Sequence, residues 1–380
     1  MHLLFGIILG LAVLVFLVVI HELGHAIAAR RNGVVVEEFG IGFPPRAWGK
    51  KLKNGVLFSL NWLPLGGFVK LQGEHDSARK KGDYGAATFW QKTRILLAGV
   101  LVNWVAAAVL FTILAWTGLP KLLANQVTVP SDTKTIRSTV QVVNVVDDYP
   151  AAEAGFKSGD KILRFAGEEV PTTSSLIDIA NQHKGDTVDV IYSRDNVEAS
   201  KTVHLKENNN GNGIFGAGLG QQERIKATWS APIVGVATTA QFTWETLAQL
   251  GILVKNVAVG LVMQLSPNEA TRASASAGLA QAGSSVAGPI GILGVIFPAV
   301  EQQGITQIIM LAAIISLTLA VMNVLPIPAL DGGRWFTMAV FRLLRKPLTK
   351  EREERIQATG FMLLMGLVVI VTVSDVGKLF

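Results

Sequence analysis

Along the chain, uncharged apolar runs alternate with shorter strand-like and loop-like stretches. Four runs are long enough to cross a hydrocarbon core of about 30 Å as helices of about 20 residues: Leu3 to Ile20 and onward, Ile95 to Leu119, Ile305 to Leu325, and Ile356 to Ser374. A fifth, Pro232 to Leu265, is less apolar and carries Glu245 and Lys255. After the first run, Val34 to Glu38, Val56 to Trp62 and Phe68 to Leu71 read as strands, separated by Gly40, Gly42, Pro44, Pro45 and Gly66-Gly67; this predicts a β-rich juxtamembrane segment. After the second, Val140 to Val146 and Thr187 to Tyr192 read as strands and Ser174 to Gln182 as a helix, which predicts a separate α+β unit. Asn208 to Gly213 reads as a loop, and the Ala/Gly/Ser-rich Gly278 to Ser285 as a flexible or tightly packed connector.

Composition agrees with the pattern. Half of the 380 residues are hydrophobic and only 16% are charged, against about 25% charged in soluble chains. This is a membrane-protein composition. With no cysteine, there is no disulfide framework, no thiolate zinc site and no cysteine nucleophile. The net charge of +6 suggests a membrane topology and no nucleic-acid partner, because the basic residues cluster in loops. From Arg30 to Lys92 they outnumber the acids, and the connector from Arg342 to Arg355 is also basic. Both are expected in the cytoplasm. Parity then predicts that Pro232 to Leu265 lies on or dips into the membrane without crossing it. Ala26-Ile27-Ala28 resembles a signal-peptide cleavage site, but no Lys or Arg precedes the apolar run while Arg30 and Arg31 follow it. The first span is therefore expected to be retained and to run from outside to inside.

Near the inner end of that span stands His21-Glu22-Leu23-Gly24-His25. Ionisable groups at this depth cost a few kcal/mol each or more unless they pair, face a polar cavity or bind something. Histidines at i and i+4 share a helix face and can reach one Zn²⁺, and the glutamate beside the first can take a proton from water. The competing reading is a satisfied polar cluster in a helix bundle. A third histidine in the spacing of one soluble zinc protease class is absent, because Ala28 and Arg31 occupy its glycine and histidine positions. Glu37 and Glu38 lie in a β-branched stretch and read as solvated strand residues. Glu301 and Asp375 flank the outer ends of the last two spans. Asp331 is the acid at the right depth, after a stretch interrupted by Pro326 and Pro328 and before Gly332-Gly333; its competing reading is a polar turn capping a helix.

Five stretches carry a resemblance over essentially the whole chain: His21-Glu-Leu-Gly-His25, Pro64-Leu-Gly-Gly-Phe-Val-Lys70, Ala98-Gly-Val-Leu-Val-Asn103, Gly288-Pro-Ile-Gly-Ile292, and Asn323-Val-Leu-Pro-Ile-Pro-Ala-Leu-Asp331-Gly-Gly-Arg334. The chain resembles the site-2 protease family of intramembrane zinc metalloproteases, in the bacterial branch with an extracytoplasmic PDZ domain. Pro150 to Leu163 is similar to the central signature of bacterial PDZ domains. Val100 departs from the family's frequent proline, which bears on how the helix begins there.

The resemblance implies an α-helical polytopic membrane protein with four transmembrane helices, an inserted α+β PDZ domain and the juxtamembrane β-rich segment. The expected divisions are 1–124 (membrane), 125–222 (PDZ), 223–304 (membrane-associated linker) and 305–380 (membrane). It implies Zn²⁺ held by His21, His25 and Asp331, Glu22 as catalytic acid/base, and Asn323 as a residue that helps hold substrate. The implied activity is endoproteolysis of single-span membrane proteins, such as anti-sigma factors or remnant signal peptides, in a bacterial cytoplasmic membrane. The PDZ domain, open to a peptide or protein ligand, and the C-terminus are then extracytoplasmic. The β-rich segment can pair with an unwound substrate by strand addition. An alternative is a catalytically inactive PDZ-bearing membrane scaffold, which has no reason to keep Glu22. A metal transporter is disfavoured because no ladder of ligands crosses the spans.

Overall fold

A computed structural model of the protein describes residues 2–207, 214–284 and 288–377. Two compact units are present, one made of Met1–Leu114 with Pro232–Phe380, the other of Ala115–Ala231.

The first helix, α1 (His2–Arg31), is unbroken and about 45 Å long at 1.5 Å per residue. It carries the histidine motif on a rigid rod and ends on Arg30 and Arg31, where positive charge suits the helix dipole. Strands β1 (Val36–Lys51) and β2 (Leu57–Leu71) then pair antiparallel. Val36 to Ile41 pair with Leu71 back to Gly67, Trp48 to Lys51 pair with Leu60 back to Leu57, and Phe39 to Ile41 also lie beside Phe58 to Leu60. Two long strands thus fold into a curled sheet with Gly67–Leu71 along one edge. The curl also corrects one expectation: Glu38 is not a solvated strand residue. It accepts from Ser59 Oγ at 2.6 Å and from Arg46 at 3.1 Å, because the sheet folds both over it. The next helix, α2 (Phe89–Thr117), runs through Val100 without a break. Ala29, Val34, Leu71, Tyr84 and Ile95 form a buried cluster where α1, the sheet and α2 meet.

The second unit contains β3 (Leu119–Pro120), β4 (Lys134–Arg137), β5 (Val140–Val145), α3 (Pro150–Glu153), β6 (Lys161–Phe165), β7 (Glu168–Glu169), α4 (Thr173–Gln182), β8 (Thr187–Arg194), β9 (Val197–His204), β10 (Ala217–Gly220) and β11 (Glu223–Lys226). Its main sheet has the order β10-β5-β6-β8-β9, with β7 on β6. Val140, Val142, Ile162, Phe165, Leu176 and Val190 form its core. Thr172 caps α4 by accepting from the Ser175 N–H at 3.0 Å, which fixes where that helix starts. A second sheet, β3-β11-β4, joins the segments entering and leaving the unit, and the Ala227 N–H donates to the Ala115 carbonyl at 2.8 Å. The compact unit is therefore wider at both ends than the expected 125–222. The expected loop Asn208 to Gly213 lies outside the described residues.

The chain continues through α5 (Ala231–Gln264), α6 (Glu269–Ser284), two short helices α7 (Pro289–Gly291) and α8 (Phe297–Glu301) around a π-helical turn, α9 (Ile305–Val324), α10 (Asp331–Leu343) and α11 (Lys350–Gly377). Among the described residues, five helices are long and apolar enough to cross a membrane: α1, α2, α5, α9 and α11. The four expected runs are among them, and α5 is the addition. The first part of α5 packs antiparallel along α2. Gly235 abuts Thr112, Phe242 stacks on Phe111, and Thr243 Oγ1 accepts from Trp104 Nε1 at 3.1 Å. Gly278 to Ser284, expected as a flexible or tightly packed connector, belongs to helix α6; Ser285 lies outside the described residues.

Candidate metal centre

One turn of α1 separates His21 from His25, and both rings are buried. Their Nε2 atoms are 3.2 Å apart, and each lies 3.2 Å from Oδ2 of Asp331. Among the described residues this is the one group of three or more His, Asp or Glu side chains placed to hold a metal ion. Sequence separation is bridged by a turn. After α9 ends, the chain passes through Pro326 and Pro328 to Ala329, at φ 78°, and α10 starts at Asp331. A Cβ on Gly333 would stand 1.9 Å from the Ile327 carbonyl oxygen. Only a glycine lets the helix start so close to its own turn and present Asp331 to α1.

The donor set fits zinc. His25 Nδ1 lies 2.8 Å from the Ile95 carbonyl, which can only accept, so Nδ1 carries the hydrogen and Nε2 of the neutral ring offers a lone pair. That lone pair faces a carboxylate oxygen and a second imidazole nitrogen, an arrangement that a cation at the centre resolves. Zinc bonds of about 2.0–2.1 Å in tetrahedral geometry place ligand atoms ~3.3 Å apart, close to the three 3.2 Å separations.

The other charged member of the motif, Glu22, is half-buried beside the sheet edge. The Val69 backbone N–H donates to its carboxylate, and a Cβ on Gly67 would stand 3.5 Å from the Glu22 side chain. An acid/base candidate and an extended backbone edge therefore adjoin each other.

The model for peptidase family M50 matches residues 9–367. The chain belongs to this family. A protein of Clostridium perfringens is 31% identical over 360 residues, covering 95% of each chain. The zinc metalloprotease RasP of Bacillus licheniformis is 26% identical over 96% of this chain and 97% of its own. The regulator of sigma-W protease RasP of Bacillus subtilis is 25% identical, with 96% of both chains covered. Among solved structures, the PDZ domain of the SdrC-like protein of Listeria monocytogenes matches 21% of this chain and 86% of its own, at 28% identity and a TM-score of 0.20. This M50 peptidase is a zinc metalloprotease of the site-2 protease family, and a multi-pass membrane protein.

Other sequence candidates fall elsewhere in the M50 fold. Asn323, in the last turn of α9, is half-buried, and its side chain makes no hydrogen bond among the described residues. Glu301 pairs with His2 at 3.4 Å. Asp375 accepts from the Gly291 N–H at 2.8 Å. Neither belongs to the cluster.

Two α2 residues that frame the M50 centre carried no ionisable signal in the sequence. A Cβ on Gly99 would stand 2.4 Å from His25 Nε2 and 2.8 Å from His21 Nε2, so the ring nitrogens are reachable only because that position is glycine. Asn103 is buried, with an amide atom 3.3 Å from His21 Nδ1. The available signal was a glycine and an amide four residues apart on one face of an otherwise apolar helix. Beside Asp331, a cavity of about 850 Å³ lined by Glu37, Lys70, Glu74, Arg334 and Glu353 gives polar access to the carboxylate.

Proposed function

We propose that the protein is an intramembrane endopeptidase that cuts single-span membrane proteins in or near their transmembrane segments, with His21, His25 and Asp331 as zinc ligands and Glu22 as catalytic acid/base. The observation that carries this reading is the convergence of three donor atoms at 3.2 Å beside a carboxylate. When bound, zinc supplies Lewis acidity toward the scissile carbonyl and acidifies water. Glu22 accepts the proton of the attacking water and delivers it to the departing amine, so the bond breaks with a neutral leaving group. The Ile95 carbonyl and Asn103 hold the two imidazoles in the tautomer that aims Nε2 inward.

Helical substrate hides its amides, and cleavage requires an extended stretch. The Gly67–Leu71 edge, which pairs with no further strand on its outer side among the described residues and adjoins Glu22 through Val69, suits strand addition by an unwound substrate. The free Asn323 amide is the candidate second grip on that backbone. The RasP relative of B. subtilis is named as a regulator of sigma-W, which favours anti-sigma factors as substrates here, with remnant signal peptides as the second class.

The basic loops favour a zinc site toward the cytoplasmic face of a bacterial cytoplasmic membrane. The Ala115–Ala231 unit is then an extracytoplasmic PDZ domain that screens substrates. In this topology α5 enters from outside and the stretch from α6 to α8 returns, with Glu301 at its end beside His2 at 3.4 Å, which keeps the Arg342–Arg355 connector in the cytoplasm.

Co-expression of the chain, or its Glu22→Gln variant, with tagged single-span membrane proteins tests the activity. Products should appear with the intact chain alone. Equal processing by both would remove Glu22 from the mechanism and favour the scaffold reading.

A further inference from the structure

Asp331 is delivered by a helix whose preceding turn is held from outside by Gln357 of α11, whose Oε1 accepts from the Ala329 N–H at 2.6 Å. The N-cap residue of α10, Leu330, offers no side-chain hydrogen bond, and the preceding Ala329 is in the left-handed region at φ 78°. The cap itself adds no side-chain bond to the first turn, so the aim of Asp331 depends also on how the helix is held further along. Three residues on, and on the same face, Arg334 provides that hold. Its Nη1 donates to Glu74 Oε1 at 2.8 Å, its Nη2 to the Glu74 carbonyl, and its Nε to Glu353 Oε1 at 3.3 Å.

These contacts continue into the scaffold of the metal centre. Glu353, on α11, accepts from the Asp76 N–H at 2.8 Å through its other oxygen, and Asp76 pairs with Lys92 of α2. The same helix α2 carries Ile95 and Asn103, which hold the imidazoles. The carboxylate side and the histidine side of the cluster are therefore joined by one chain of charged groups. A buried ion pair is weak evidence for net stability, since desolvation offsets attraction. It does fix geometry, because the planar guanidinium meets its acceptors at set angles that a lysine cannot reproduce.

We infer that Arg334 is the positioning residue for the third metal ligand: by tying the first turn of α10 to Glu74 and Glu353, it sets where the Asp331 carboxylate faces His21 and His25. This rests on the reading of Asp331 as a zinc ligand.

The test uses the full-length protein in detergent, with zinc affinity from chelator competition and the visible spectrum of the Co²⁺ form as readouts. Arg334→Gln should weaken zinc binding about 10- to 100-fold, the range typical of lost outer-shell support, and shift the Co²⁺ bands. Glu353→Gln should do the same to a smaller degree, and Arg334→Lys should recover only part of the loss. Trp335→Phe removes a different anchor of α10, the 3.0 Å bond from Trp335 Nε1 to Thr93 Oγ1, and should leave both readouts unchanged.

Unchanged affinity and spectrum in Arg334→Gln would overturn the inference. So would an equal loss in Trp335→Phe, because zinc would then merely follow stability. If Arg334→Gln does not fold, Glu353→Gln decides. Full zinc retention in Asp331→Asn would instead overturn the ligand reading itself, whereas zinc loss there with normal binding in Arg334→Gln would leave the ligand and reject only its positioning.

Discussion

Asn103 lies 3.3 Å from Nδ1 of His21, joining the middle of α2 to the inner part of α1, and its Oδ1 is buried without a partner among the described residues. A half-turn of the amide presents that oxygen to the ring, where it accepts the Nδ1–H and leaves Nε2 as a lone-pair donor. Asn103→Leu, nearly isosteric but without an acceptor, should reduce zinc affinity about 10- to 100-fold. Asn103→Asp should retain most of it. Chelator competition measures both, and equal affinity in Asn103→Leu and the parent would show that the amide does not orient His21.

Gly99 yields a steric prediction. A methyl group at this position would fall 2.4 Å from His25 Nε2, well inside contact distance and in the space between the imidazoles. Gly99→Ala should abolish zinc retention and proteolysis while α2 stays helical, since alanine is the better helix former. Gly366→Ala in α11, with nothing within 4 Å of the added carbon, should behave as the parent. Zinc content after size exclusion separates them, and a zinc-replete Gly99→Ala protein would contradict the site geometry.

The parts of this protein legible in its sequence were those with a strong periodic or chemical signature. The spans were visible as uncharged runs, and His21, Glu22 and His25 as charges at a costly depth. Asp331 emerged because few acids lie at that level. Glu38 was misread because a strand pattern gives local exposure but not the way a sheet curls over its own residue. The apolar run of α5 is legible, but its packing along α2 through Gly235, Phe242 and Thr243 is not, because Glu245 and Lys255 lower its hydropathy and a contact between distant helices leaves no periodic mark. Gly99 and Asn103 act through what they leave open and what they orient; their four-residue spacing marks a shared helix face but not which rings that face meets.

Tyr84 separates a ring from its hydroxyl. The side chain is 1% exposed, and its hydroxyl has no hydrogen-bond partner among the described residues. The ring lies 4.7 Å from the Arg334 guanidinium carbon. Burial pushes the Tyr84 hydroxyl far above its ordinary range, so it stays neutral across working pH. An unsatisfied buried hydroxyl costs about 1–3 kcal/mol; Tyr84→Phe should therefore keep zinc binding and raise stability by up to about 1 kcal/mol. Tyr84→Leu removes the face under Arg334 and should lower stability. A clear loss in Tyr84→Phe would mean that the hydroxyl has a partner, such as a bound water.

Membrane topology can be read with tags. The charge rule places insertions after Lys51 and Lys350 in the cytoplasm, and an insertion in the Asn208 to Gly213 stretch and the C-terminus outside. A crossing α5 differs from a surface helix at one site: a cysteine at Asn268, just beyond its end, should be labelled from the cytoplasm. Labelling from outside would return α5 to the surface, and a cytoplasmic Asn208–Gly213 tag would reverse the whole orientation.

Acid stability of the Ala115–Ala231 unit should depend on Asp160. Burial alone would raise the pKa of this carboxyl, but Arg194 donates to both of its oxygens at 2.6 Å and the Lys157 N–H adds a bond at 2.8 Å. These interactions win and hold Asp160 below the ordinary carboxylate range. A folded-state pKa below the unfolded one stabilises the protein above the unfolded value, near pH ~4, and this contribution is lost as pH falls through that range toward the folded value. Hydrogen exchange at Val142, Ile162 and Val190 in the intact chain should therefore accelerate as pH is lowered below about 4, after correction for the intrinsic rate. Asp160→Asn should cost about 1.5–3 kcal/mol at neutral pH, the worth of hydrogen bonds to a charged group, and should flatten that acid dependence. If the variant keeps the parent's slope, other carboxylates govern the acid response and the Asp160–Arg194 pair does not.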